Sequence, residues 1–191
     1  MSNIAIIGWG SLIWDLDNLA PHTNGDWEME GGPCLPMEFS RISPKRKMGL
    51  VVCLDPVVGV PCATHVIASD KTDIAAAVAD LAARERAPLD RIGAVHVDGT
   101  RQGRMPEVCE TVAAWCARTG RDGAVWTDLE PNFAEHTGQA FSLERGLAYL
   151  RKLQGDSLAE AHRYITSAPP QTATPMRKFL ESDPWWRGLN P

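Results

Sequence analysis

The stretch Ile4-Ala5-Ile6-Ile7-Gly8-Trp9-Gly10-Ser11-Leu12-Ile13-Trp14-Asp15 decides how the fold is read. Its first four residues make a short apolar run that reads as a buried strand, and Gly8-Trp9-Gly10 ends that run at once. A strand followed by Gly-x-Gly is also how a dinucleotide-binding fingerprint begins. This one lapses: Ile13 stands where the third glycine belongs, and Trp14-Asp15-Leu16-Asp17-Asn18 does not continue as an amphipathic helix. What remains is a glycine-flanked loop at a strand end. Glycines there let backbone N–H groups approach a ligand and converge on an anion such as a carboxylate, and a tight structural turn is the competing reading.

Outward from this stretch, residues 15–36 are rich in Asp, Asn, Gly and Pro and read as a surface excursion. Met37–Ser43, Met48–Leu54 and Pro61–Ala68 carry strand patterns separated by turn residues at Ser43-Pro44-Lys45 and Asp55-Pro56 to Gly59. They predict an antiparallel meander sharing one curved sheet with Ile4–Ile7. The basic cluster Arg41, Lys45, Arg46 and Lys47 falls at its first turn and reads as a solvated hairpin tip rather than an anion site. Asp70–Arg86 reads as a helix, with Ser69, Asp70 or Thr72 as caps and Pro88 beyond its end. Ile74, Val78 and Leu81 form its apolar stripe, and Glu85 falls in the middle of that stripe. Ile92–Val97 and Gly123–Thr127 read as strands, and Pro106–Arg118 as a helix burying Val108, Val112, Trp115 and Cys116. The remainder is helical, over Ser142–Leu153, Ser157–Ser167 and Thr174–Glu181, the last with Thr174 as N-cap and Pro175 in first position. With no repeat and no linker, 1–191 reads as one domain in which 142–191 is a helical C-terminal extension.

The 191 residues, 44% hydrophobic and 23% charged, suit a globular protein and exclude disordered or collagen-like classes. Lys+Arg 19 against Asp+Glu 24 gives a net charge of −5, and six acids precede the first basic residue, Arg41. No basic footprint awaits nucleic acid. No run approaches the roughly 18 apolar residues of a membrane span, and the N-terminus lacks the positive flank of a signal peptide, so the expected setting is cytoplasmic. Cys34, Cys53, Cys62, Cys109 and Cys116 include no CxxC and read as core thiols. The histidines show neither HxH nor HExxH, and no metal or other cofactor is expected.

Three polar residues compete for a chemical role. Glu is rarely buried without a partner, so Glu85 is either half of an ion pair, with Arg84, Arg86 or a strand residue, or a pocket carboxyl. In a pocket, desolvation would favour its protonated form, as general acid/base work requires. Ser11 has no sequence-evident base and no GxSxG around it, and His96 reads as a surface or satisfied core histidine. Trp126-Thr127 reads as core before pocket lining.

Ile7-Gly8-Trp9-Gly10-Ser11-Leu12-Ile13-Trp14 resembles the glycine-serine-leucine loop that opens the gamma-glutamylcyclotransferase-like family, above all its ChaC-type branch. The resemblance continues through Glu38-Phe39-Ser40-Arg41-Ile42-Ser43 and the helix ending Ala82-Ala83-Arg84-Glu85, where that branch carries an Arg-Glu pair. It covers about the first 100 residues. It implies an α+β fold, a small mixed β-barrel flanked by helices, and an enzyme that cyclises a small-molecule γ-glutamyl substrate to 5-oxoproline and releases an amine or peptide. It further implies Glu85 as the catalytic acid/base, Trp9, Gly10, Ser11 and Leu12 as the substrate loop, and no metal or cofactor. Trp9 stands where the family has tyrosine, keeping an aromatic wall without the hydroxyl, and Trp185-Trp186 lie in a tail with no counterpart. A non-catalytic binder of γ-glutamyl or related amides on the same fold is the alternative, and a nucleotide-dependent oxidoreductase a third.

Overall fold

The apolar run at the start of the chain becomes β1 (Ile4–Gly8), buried at every position, in the computed structural model, which describes residues 3–189. The strands that follow are β2 (Thr23–Glu28), β3 (Leu35–Ser43), β4 (Gly49–Leu54), β5 (Val60–Cys62), β6 (His65–Ser69), β7 (Ile92–His96), β8 (Arg101–Gln102) and β9 (Gly123–Thr127). The helices are α1 (Ile74–Glu85), α2 (Pro106–Thr119), α3 (Phe133–Thr137), α4 (Leu143–Leu150), α5 (Gly155–Ser167), α6 (Pro175–Ser182) and α7 (Pro184–Arg187). The fold is α+β. The chain divides into two compact units, one made of residues up to Leu35 with Ala63–Leu129, the other of Pro36–Cys62 with the residues from Glu130 onward. None of the described helices is long and apolar enough to cross a membrane.

The first unit holds a six-stranded sheet in the order β2-β6-β1-β9-β7-β8. β1 runs antiparallel to β6 and parallel to β9, pairing Ile6 with Ile67 and with Val125. α1 lays Ile74, Ala77, Val78, Leu81 and Ala82 into a core with Ile4, Ile6, Ile67, Ile92, Ala94 and Val125. Burying each larger side chain of that stripe is worth roughly 1.5–3 kcal/mol. The helix starts later than its sequence suggests because Asp73, not Ser69, Asp70 or Thr72, caps it, its carboxylate accepting from Ala76 N at 3.0 Å. α2 packs on β7 and β9 and buries Val108, Val112, Trp115 and Cys116, as its spacing requires.

Two sequence expectations fail in instructive ways. Residues 15–36 are not all loop: Thr23–Glu28 forms an edge strand on β6, mostly exposed and so without apolar alternation. Its Trp27 ring lies where a Cβ on Gly8 would come within 2.5 Å of it, so that close packing needs glycine. The expected Pro61–Ala68 strand is two strands in different sheets. Buried Thr64 interrupts it, donating through its hydroxyl to Pro33 O at 2.7 Å and accepting from Gly32 N through its carbonyl at 3.1 Å. The meander therefore does not share a sheet with Ile4–Ile7; only its last piece, β6, does. The described strands form two open sheets, with no closed barrel among them.

The second unit contains the other sheet, β4-β3-β5, and the helices from α3 to α7, so the helices after Ser142 share a unit with three strands rather than forming an appendage. β3 and β4 are antiparallel with a register shift between Glu38 and Arg41. Beyond the shift, the Asn132 side chain imitates a strand partner, accepting from Ile42 N at 2.7 Å and donating to Ile42 O at 3.0 Å. α5 packs on β4, and α6 on α4. Ser142, Thr174 and Asp183 cap α4, α6 and α7 through their side chains. The N-terminus of α6 has a second anchor: buried Glu38 accepts from Met176 N at 3.1 Å and from Phe39 N at 2.6 Å.

Candidate functional site

At the end of β1 the chain enters a short 3₁₀ turn, Gly10–Ile13. Gly10 has φ +58°, the left-handed region that glycine enters without steric cost. Trp9, Gly10, Ser11 and Leu12 are all buried, but they face different surroundings. Leu12 joins the α1 core with Ile4 and Ile6, whereas Ser11 turns its hydroxyl to Arg84. Asp15 N donates to Ser11 O at 2.9 Å and closes the turn.

Arg84 and Glu85 occupy the last turn of α1, and the chain leaves that helix through Arg86 at φ +53°. The residue driven into the interior is Arg84, 2% exposed, while Glu85 is half-buried. The apolar stripe misplaces the deepest burial by one position because the Arg84 guanidinium finds acceptors on the loop side. Arg84 Nη2 donates to Asp15 O at 2.6 Å and to Ser11 Oγ at 3.4 Å, and Nη1 donates to Glu85 Oε1 at 2.8 Å. A guanidinium does not give up its proton in a protein, so its burial must be compensated by such acceptors. One planar cation thus ties the helix end to the loop and sets Glu85 one guanidinium away from Ser11. Ser11 and Glu85 are brought into one region by Arg84, a residue the sequence marked only as half of a pair.

Other candidates in this unit are occupied structurally. Trp126 is fully buried, its ring filling the space above Gly93 where a Cβ would lie 2.0 Å away. His96 sits beside Asp98 at 3.0 Å on an exposed turn. Asp128 is buried against Arg104, accepting from its backbone N at 2.5 Å; burial still pushes the Asp128 carboxyl above its ordinary range. His22, Asp70 and Asp80 place ligand-type atoms within 4.8 Å of one another. The Lys71 ammonium already stands among them, 3.1 Å from His22 Nδ1, 3.0 Å from Asp70 and 3.4 Å from Asp80, and its hydrogen bond to Asp70 holds it above the usual lysine value. Cys53, Cys62, Cys109 and Cys116 are buried as expected, but Cys34 is exposed. Burial pushes the Cys116 thiol up to about 11 and Cys109 in the same direction, which suits packing rather than nucleophilic chemistry.

In the second unit, the turn of the basic cluster is solvated as expected, with Lys45 and Lys47 exposed, and Arg41, Arg46 and Lys47 also find partners distant in sequence. Lys47 meets Asp156 at 2.9 Å, Arg46 meets Glu160 at 3.3 Å and lies over the Tyr164 ring, and Arg41 donates to Glu130 O. No family model matches the chain, and neither a curated protein nor a solved structure matches it.

Proposed function

We propose that the chain is a γ-glutamyl cyclotransferase-type enzyme of the gamma-glutamylcyclotransferase-like kind, acting at the Gly10–Ile13 turn with Glu85 as its acid/base. The observation that carries the reading is the bridge from Glu85 through Arg84 to Ser11 and Asp15. In this reaction the substrate's α-amine attacks its own γ-carbonyl carbon, the new C–N bond closes a five-membered ring, and the old amide C–N bond breaks. Closure is intramolecular, so the enzyme has to hold the attack conformer and move protons. Glu85 takes the proton that the attacking nitrogen sheds and returns one to the departing nitrogen. The turn's amides, freed to converge by Gly10, receive the α-carboxylate and the developing oxyanion.

A second reading is favoured by one observation: Glu85 Oε1 is already engaged by a buried cation. Glu85 would then be a structural counter-ion and the loop a non-catalytic binder of γ-glutamyl amides. Mass-spectrometric detection of 5-oxoproline from a set of γ-glutamyl compounds, run with wild type and Glu85→Gln, separates the two. The catalytic reading expects the variant to keep its KM and to lose about a hundred- to ten-thousand-fold in kcat per folded molecule, whatever the loss of the Arg84 counter-ion does to its melting temperature. The counter-ion reading expects the variant to melt early and neither protein to release 5-oxoproline. Gly10→Val tests the loop: β-branching and a positive φ are incompatible, so calorimetry should find ligand affinity abolished in a folded sample.

A further inference from the structure

The turn between β4 and β5, Asp55-Pro56-Val57-Val58-Gly59, is organised by a buried acid. Asp55 Oδ1 accepts from Val57 N at 2.8 Å and Val58 N at 3.0 Å, and Oδ2 accepts the hydroxyl of Ser40, itself fully buried on β3, at 2.6 Å. A carboxylate offers about four lone-pair sites, and these donors take three. Beside this pair opens a cavity of about 280 Å3, walled by Val58, Pro131, Phe133 and Phe141, with the two rings edge to face at 5.3 Å. Val57 stands on its lip with 87% of its surface in water. Among the described residues, the charged ones that line the cavity are Asp55 and Glu135, with no Lys, Arg or His.

Apolar walls and a few convergent polar groups around a concave volume are the features of a small-ligand pocket; this one is at the small end of such pockets and is open to water on one side. The sign of the charge selects among ligands. An anion would be desolvated against two carboxylates with no cation to meet it. An ammonium would gain a charge-assisted hydrogen bond on the Asp55 carboxylate. We propose that this cavity in the second unit is a binding site for a small primary amine with an apolar or aromatic body, the ammonium on Asp55 and the body against the wall formed by Val58, Pro131, Phe133 and Phe141. The site is built wholly within its own unit and is independent of the Gly10 loop.

The probe is phenethylamine, with 2-phenylethanol as its neutral analogue and phenylacetate as its anionic one, titrated calorimetrically into the full chain. Phenethylamine is expected to saturate the protein and to bind at least about ten-fold tighter than the alcohol, a difference of about 1.4 kcal/mol, with no binding of phenylacetate. Asp55→Asn retains a side-chain oxygen for the two turn amides; it should lose at least about ten-fold in amine affinity and bind amine and alcohol alike. Ala140→Trp, at an exposed lining position, should block both ligands while leaving the melting temperature unchanged. The proposal is overturned if phenethylamine fails to saturate folded wild type by about 10 mM, if amine and alcohol bind wild type equally, or if either variant keeps wild-type amine affinity.

Discussion

Each unit buries an ionisable group among polar partners, a base in the first and an acid in the second. In the first, Arg84 at the end of α1 answers a carbonyl, a hydroxyl and a carboxylate. In the second, Glu38 on β3 answers the amides of Phe39 and Met176, the latter in the first turn of α6, with the Thr174 hydroxyl beside them. The guanidinium has a formal counter-ion but cannot shed its proton. The carboxyl can, and burial, reinforced by the nearby Asp55, raises Glu38 above its ordinary value despite three donors that pull the other way. A buried cation of this kind is a fixed strut, whereas a buried acid is a support whose strength depends on pH.

Arg84→Met is the most damaging way to break the comparison. Removing one member of a buried pair costs about 3–5 kcal/mol, and the lower end is expected because Glu85 keeps some access to water. Denaturant midpoints check it, and a wild-type midpoint would show that the guanidinium bears no strain. Glu38→Ala strips the acceptors from two buried amides and should cost about 1–3 kcal/mol. Hydrogen exchange should show the loss first at Met176. Gly10→Ala puts a side chain on a residue at φ +58° and should cost about 1–2 kcal/mol, with the bonds of Arg84 intact.

The smallest effect is a pH tilt, and it sharpens the contrast. Glu38 is raised above 4.5, so as pH climbs the unfolded chain loses its proton first; the stability due to the neutral acid is whole below 4.5 and falls as pH rises through the folded value. His65 is buried and lowered below 6.5, with Nδ1 accepting from Glu30 N at 2.9 Å, so it must stay neutral there. Its contribution is whole above 6.5 and falls as pH drops through the folded value. The two tilts oppose each other in the window between. In urea midpoints collected across that window, Glu38→Gln should leave stability rising with pH and His65→Gln should leave it falling. Parallel profiles for the two variants would contradict both assignments.

Where burial followed apolar periodicity, the elements were legible: β1, the α1 stripe and the buried face of α2 are all spelled out by spacing. Strand β2 was hidden because Thr-Asn-Gly-Asp-Trp-Glu lies at an exposed edge and needs no alternation. The break at Thr64 was hidden because its cause is a hydrogen bond to Pro33, more than thirty positions earlier. The Gly10–Ser11 turn could be recognised by its glycines, and Arg84-Glu85 as a pair. Which of the two lies inside was not legible, since helical phase assigns a direction and cannot count the acceptors waiting there. Asp55 was visible as a turn residue, but its bond to Ser40 ties that turn to β3 and leaves no local trace.

The threading of the chain has a consequence for vectorial synthesis. Ile4 pairs with Gly123, so a central strand of the first sheet waits for β9 until well over a hundred further residues have emerged. Before then β1 can find β6, but its other edge stays open and apolar, and the strands of the second unit are made in the interval without their helices. Pairing of such sequence-distant segments is slow because loop closure precedes the reward. A nascent chain halted near Arg121 should therefore be the aggregation-prone form of this protein, and one extended past Thr127 the first able to close its sheet.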